Sequence, residues 1–144
     1  KEGFVNYGYY DGIRSEILDA QEDIFAEYDI IITPTTACLP VKNEKNRNTL
    51  GPEYVNGIKM ERNIGFCLTY FENFTGNPAA SVPAGLSKSG LPVGMQVIGK
   101  KFCDSDVLAV CRAFEQIQPW DEFYKIPWSR DIETEALQEG REKL

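Results

Sequence analysis

Two apolar segments joined by one short polar connection constrain the fold of this chain more than any other feature. The segments Ala79–Leu86 and Val93–Ile98 are strand-sized, and the connection has turn chemistry because Gly90 can adopt a positive φ. Strands joined by so short a loop are normally antiparallel neighbours. Pro83 lies inside the first segment and cannot donate to a ladder, so it predicts a sheet edge, a bulge or a kink that faces a ligand.

Helical periodicity surrounds these two strands. Apolar residues recur at helical spacing in residues 10–28, 60–71 and 104–117. Between the first two stretches, Ile30–Ile32 is the centre of a short strand that is apolar on both faces, which favours burial between helical layers. Residues 37–57 are predicted to be irregular. The order α–β–α–β–β–α predicts an α/β fold, a layered sheet of mixed strands flanked by helices.

Composition and charge exclude several classes of protein. The chain has 144 residues, of which 42% are hydrophobic and 26% charged, as in a globular domain with a real core. We expect one domain over residues 1–128 and a polar tail or surface helix over residues 129–144. The net charge of −7 repels phosphate backbones, so direct nucleic-acid binding is not expected. No apolar run approaches the roughly 20 residues that span a membrane.

The cysteines and the missing histidine limit the chemistry. Four cysteines are present, none forms a C-x-x-C pair, and no histidine completes a zinc site, so neither a metal nor another cofactor is predicted. We expect free thiols in a reducing cytoplasm, with a disulfide as the alternative. Without histidine, Ser-His-Asp and Cys-His catalysis within this chain are excluded. The start at Lys1, without Met, indicates a processed chain or a cloned fragment.

An ordered series of short motifs runs through residues 9–128. It comprises Tyr9–Asp11 at the start of a predicted helix, Tyr28–Thr35, Thr69 and Asn73, Asn73–Pro83, Gly90–Gly99, Phe114–Gln116, and Pro119-Trp120 with Pro127. In order and spacing, the series resembles the C-terminal part of the amidase signature family. The resemblance implies hydrolysis of a carboxylic amide by a Ser–Ser–Lys triad, in which a Lys with a lowered pKa is the base. It also implies that the triad lies upstream of this segment.

One local sequence imitates that triad. Ser87-Lys88-Ser89-Gly90 places a lysine between two serines. We reject it as a catalytic site, because a short exposed turn neither buries the lysine nor provides an oxyanion hole. Ser81 lies in a predicted strand and does not match the nucleophile of the family. The sequence therefore predicts no catalytic residue within the chain.

Four residues are predicted to line a substrate pocket. Thr35 and Thr36 follow the end of a strand, where ligand sites gather in α/β folds. Phe66 stands where the family members that amidate mischarged tRNA have an Asp that helps to recognise glutamine, so the resemblance implies an apolar amide here. Asn73 is either a pocket residue or a turn residue, and Thr69 is interpreted as structural.

Three functional hypotheses remain. The first is the C-terminal part of an amidase that acts on a small-molecule amide. The second is the A subunit of a glutamine-dependent tRNA amidotransferase. The third is a non-catalytic packing or interaction domain, which predicts exposed apolar strand edges and allows a homodimer.

Overall fold

The computed structural model describes the backbone of residues 5–43 and 50–121, with side chains from residue 8 onward in these ranges. The elements are α1 (Val5–Phe25), β1 (Ile30–Pro34), β2 (Tyr54–Val55), β3 (Ile58–Lys59), α2 (Tyr70–Thr75), β4 (Ala79–Leu86), β5 (Pro92–Gly99) and α3 (Asp104–Ile117). The predicted tail at residues 129–144, and the motif residue Pro127, lie outside the described residues.

The main sheet has three strands in the order β1-β5-β4. The predicted hairpin is confirmed, since β4 pairs antiparallel with β5 and Gly90 in the connection has a φ of 75°. The register shifts between Pro83 and Gly85, so Pro83 marks a bulge, one of the three outcomes that its sequence position predicted. The bulge bends the end of β4 that leads into the turn.

The strand directions refine the predicted class. The layered α/β fold is confirmed, with helices packed on a sheet. Strands β1 and β4 run in the same direction, and β5 lies between them in the opposite direction. Because β5 separates them, every pairing within the described residues is antiparallel, and the expected mixture of parallel and antiparallel pairs is not found there.

The core lies between β5 and the helices. Val97 is fully buried, and Phe25, Ile98 and Val107 are almost fully buried. Gly99 allows α3 to approach β5 closely, because a Cβ at this position would lie 2.6 Å from Cγ2 of Val107. Residues 96–99, at this end of β5, are all buried.

The helix predicted over residues 60–71 is wrong for most of its length. Only α2 is helical, and it ends at Gly76 with a φ of 74°, as the sequence predicted. Upstream, the Glu61 carboxylate accepts hydrogen bonds from the backbone N–H groups of Asn63 and Ile64, at 2.8 and 3.0 Å. Residues 62–66 form turns, and Cys67 pairs with Thr36 in an isolated antiparallel bridge, which takes this segment out of a helical conformation.

A small hairpin interrupts the region predicted to be irregular. β2 and β3 pair antiparallel across Asn56 and Gly57, whose φ values of 50° and 79° are both positive. Asn-Gly is the preferred sequence for the two-residue turn that has this geometry. The signal was therefore present in the sequence, although the strands that it joins are only two residues long.

Candidate functional site

An open cavity of about 590 Å³ lies beside the end of β1. Its lining is Thr36, Ala37, Cys38, Leu39, Pro40, Val41, Phe66, Pro92, Val93 and Gly94. None of these side chains is charged, and Thr36 and Cys38 are the only ones among them that carry an oxygen or sulfur atom. A wall of this composition suits an uncharged, largely apolar ligand group.

Backbone pairing beyond β1 builds this wall. Ala37 donates its backbone N–H to the carbonyl of Phe66 at 2.8 Å, and Leu68 donates to the carbonyl of Thr35 at 3.3 Å. The N–H of Thr35 donates to the carbonyl of Gly94 at 3.0 Å. The segment 35–37 is thus held between the start of β5 and the segment 66–68, and this arrangement brings Thr36 and Phe66 to one cavity.

The four predicted pocket residues have different positions. Thr36 and Phe66 line the cavity. Thr35 is not in the lining, and its hydroxyl lies 2.7 Å from the hydroxyl of Ser81 on β4. Asn73 is exposed on α2 and does not line the cavity. Thr69 occupies the N-cap position of α2 without a side-chain capping bond.

Cys38 gives the cavity its one thiol. Partial burial, reinforced by the neighbouring thiol of Cys67, raises the pKa of Cys38 above its ordinary value. Burial also raises the pKa of Cys111 on α3. The Cys38 thiol is therefore protonated near neutral pH, and it contributes a polarisable surface rather than a charge.

A buried polar cluster at the junction of α1 and α2 was not predicted from the sequence. Gln21 donates to both carboxylate oxygens of Glu72, at 3.1 and 3.2 Å, and accepts from the Asn77 side-chain amide at 2.8 Å. Thr75 donates to Glu72 at 3.3 Å. Burial raises the pKa of Glu72, while the bonds from Gln21 and Thr75 act in the opposite direction. We name Gln21, Glu72, Thr75 and Asn77 the junction cluster.

The junction cluster joins parts of the chain that are distant in sequence. Gln21 lies 51 residues from Glu72 and 56 from Asn77. No local pattern in the sequence reports such a contact. Oδ1 of Asn77 is buried and has no hydrogen-bond partner among the described residues.

The serine–lysine turn has the geometry of an ordinary β-connection. The hydroxyls of Ser87 and Ser89 lie 3.0 Å apart, and the Ser87 hydroxyl accepts the backbone N–H of Leu91 at 3.1 Å. Lys88 is exposed. These contacts close a turn and form no site for a substrate.

Two structural absences apply to the part of the chain that the structure describes. It contains no group of three His, Cys, Asp or Glu side chains arranged to hold a metal ion. None of its helices is both long enough and apolar enough to cross a bilayer.

Comparison with known proteins identifies the family. The family model described as Amidase matches residues 7–108, which is most of the chain. The chain belongs to the amidase family. The resemblance that the motifs carry is thereby confirmed.

Individual relatives include two kinds of amidase. The chain is 38% identical over 119 residues to the A subunit of glutamyl-tRNA(Gln) amidotransferase from Brevibacillus brevis, covering 78% of this chain and 22% of the relative. A bacterial aryl acylamidase of the amidase signature family superposes with a TM-score of 0.84 at 40% identity, covering 90% of this chain and 26% of that one. The A subunit of the Thermotoga maritima glutamyl-tRNA(Gln) amidotransferase superposes with a TM-score of 0.60 at 31% identity, covering 81% and 23%. The chain spans about a fifth to a quarter of the length of these proteins.

Proposed function

We propose that the protein to which this chain belongs hydrolyses a carboxylic amide with an apolar substituent. In this proposal the chain supplies one wall of the substrate site, and a Ser–Ser–Lys triad elsewhere in the protein supplies the chemistry. The observation that carries the proposal is the cavity beside β1, whose ten lining residues include no charged side chain. An aromatic or aliphatic group loses little free energy of hydration when it binds against such a wall, whereas a charged group loses much of it.

Phe66 and Thr36 have separate roles in this proposal. The Phe66 ring provides apolar contact area for the substituent of the amide. The hydroxyl of Thr36 donates to the carbonyl of Cys38 at 2.9 Å, so it fixes the loop that forms the cavity wall and keeps its lone pairs for a substrate N–H. Thr35 supports this loop from behind, through its bond to Ser81.

Asn73 has a more distant role in the proposal. It is exposed on the short helix α2, outside the cavity lining. We propose that Asn73 contacts the substrate only if another part of the protein extends the site towards α2. Its alternative role is that of a turn residue.

The A subunit of a glutamine-dependent tRNA amidotransferase is the second candidate, and the 38% identity to the Brevibacillus brevis protein favours it. Two observations support the acylamidase assignment instead. The fold matches the aryl acylamidase with a TM-score of 0.84, against 0.60 for the Thermotoga maritima protein. Phe66 also lies in the wall where the resemblance to the tRNA enzymes would require an Asp.

A non-catalytic packing or interaction role is the third candidate. It is favoured by the edge strand β1, where Ile32 is exposed. We propose that such surfaces are covered by the rest of the protein or by a second copy of it, in a cytoplasmic setting that suits four free cysteines. The mass of the purified protein in solution separates these two forms of burial.

The test is the substrate preference of the full-length protein. Hydrolysis of an anilide, of a short aliphatic amide and of glutamine is measured under the same conditions, with and without a candidate partner protein. The proposal expects the highest kcat/KM for the anilide and no requirement for a partner. Glutaminase activity that a partner stimulates, with no anilide hydrolysis, would establish the second candidate. No amide hydrolysis at all would favour the third.

A further inference from the structure

Gly51 lies against the Phe66 ring and is not among the residues that line the cavity. The residue is buried, and a Cβ at this position would overlap the Cδ1 and Cε1 atoms of Phe66. It would also lie 2.9 Å from the backbone carbonyl oxygen of Arg62. Because φ of Gly51 is outside the left-handed region, the need for glycine here comes from space and not from backbone conformation.

Two hydrogen bonds prevent Gly51 from moving away from the ring. Its N–H donates to the carbonyl of Arg62 at 2.7 Å, and its carbonyl accepts from Nε of Arg62 at 3.0 Å. Arg62 thus holds the Gly51 backbone from both directions. The same carbonyl of Arg62 blocks a new methyl group, and a backbone atom yields less readily than a side chain. The element free to move is the ring.

The Phe66 ring borders the cavity, so open space lies next to it. The backbone carbonyl of Phe66 accepts the N–H of Ala37 at 2.8 Å, which holds the backbone of Phe66 in place. A side chain at position 51 would therefore rotate the Phe66 ring into the cavity rather than displace its backbone. We propose that Gly51 is a positioning residue that sets the depth of the cavity, and hence the size of amide substituent that it accepts, through the Phe66 ring. The part of this inference that concerns substrates rests on the proposed function.

The first test uses Gly51→Ala in the full-length protein. One methylene more or less in an apolar pocket changes discrimination by about 10–200-fold. We therefore expect KM for an anilide to rise about tenfold or more, while kcat and the KM for a short aliphatic amide change little. Gly12→Ala is the matched control, because no atom lies within 4 Å of the new methyl group. An unchanged anilide KM in a folded Gly51→Ala protein would overturn the inference.

The second test adds Phe66→Ala. Once the ring is absent, Gly51→Ala should have no further effect on the ratio of the two KM values. The same pair of variants is also compared by the urea midpoint of unfolding, a measurement that does not require enzymatic activity. Gly51→Ala as a single variant should lower the midpoint. In the Phe66→Ala background, Gly51→Ala should lower the midpoint much less. Equal reductions in both backgrounds would overturn the positioning role.

The two proposals fail in different ways. If the wild-type protein hydrolyses no amide, the proposed function is lost, and the urea cycle still decides whether Gly51 positions the ring. If the anilide is hydrolysed and neither cycle couples the two residues, the function stands and the positioning role is lost. A Gly51→Ala protein that does not fold, together with a double variant that does, also supports the inference.

Discussion

The cavity beside β1 and the junction cluster differ in how their hydrogen bonds are used. The cavity is open, none of its lining residues in the described part of the chain is charged, and its shape is held by backbone hydrogen bonds from Thr35 and Ala37. The junction cluster is closed, and it holds a carboxylate between two helices by side-chain bonds from Gln21 and Thr75. A wall whose backbone fixes its shape leaves its side chains available to a ligand. The side chains of the junction cluster bind each other instead, and among the described residues only the buried Oδ1 of Asn77 is left without a hydrogen-bond partner.

This contrast indicates that the cavity is a binding surface and that the junction cluster stabilises the fold. Asn77 and Glu72 are 5% and 8% exposed, and Gln21 connects them, so changes there should affect folding before function. Phe66 is half-buried with one side of its ring towards the cavity, so changes there should affect substrate choice before stability. Four sets of variants test this division, from the largest expected effect to the smallest.

Gln21→Leu should destabilise the protein most. The change leaves the Glu72 carboxylate without its main donor and the Asn77 amide without its acceptor. Leaving buried polar groups unpaired costs about 1–3 kcal/mol each, so the free energy of unfolding should fall by about 3 kcal/mol. Urea unfolding measures it. Gln116→Leu, at an exposed position of α3, is the control and should stay within about 0.5 kcal/mol of wild type. A loss of unfolding free energy equal to that of the control would show that the junction cluster does not stabilise the contact between α1 and α2.

Phe66→Asp should change substrate preference with a smaller effect on folding. A carboxylate in this apolar wall must be desolvated when an aromatic substituent binds. The kcat/KM for an anilide should fall roughly 100-fold, and the ratio of glutamine to anilide hydrolysis should rise. Phe66→Leu keeps the wall apolar and serves as the control. If kcat/KM for the anilide falls equally in both variants, the shape of the ring matters for binding and the polarity of the wall does not.

Thr35→Val should have a moderate effect on stability. The change removes the hydroxyl that meets Ser81 on β4, and a typical hydrogen bond contributes about 1 kcal/mol. Ser81→Ala should cost a similar amount, and the double variant should cost less than the sum of the two. Strict additivity in urea unfolding would mean that the two hydroxyls do not act together.

Glu72→Gln should produce the smallest effect, visible as a change in pH dependence. Burial raises the pKa of Glu72, so the native protein holds this proton more tightly than the unfolded chain does. Stability therefore declines as pH rises from the ordinary carboxylate range through the raised pKa. Glu72→Gln removes this contribution, and its stability should fall less than that of wild type over the same pH range. Identical slopes in the two proteins would contradict the cause assigned to Glu72.

The hairpin of β4 and β5 could be predicted because its signals are local. Pro83 indicated the irregularity in β4, and Gly90 indicated the turn. The order of the three helices and of the three strands of the main sheet followed from periodicity for the same reason, whereas β2 and β3 were not predicted. The family assignment rested on motif order, which survives even where single elements are mispredicted.

The parts of the fold and of the cavity that were not predicted depend on contacts between residues distant in sequence, which no local pattern contains. Residues 60–71 have helical periodicity, but the Glu61 carboxylate binds nearby N–H groups and Phe66 pairs with Ala37 instead. The junction cluster requires α1 and α2 to meet, and Gln21 carries no sign of this in the sequence. Two of the residues predicted for a substrate pocket, Thr36 and Phe66, line the cavity, but no sequence pattern pointed to the apolar loop 37–41 that completes the lining.

The central claim is that the cavity beside β1 accepts an apolar amide substituent. The most direct measurement is the ratio of kcat/KM for an anilide to kcat/KM for glutamine, determined on the full-length wild-type protein without any partner. We predict a ratio well above one. A ratio below one would contradict the claim, and would assign this chain to a glutamine-dependent enzyme.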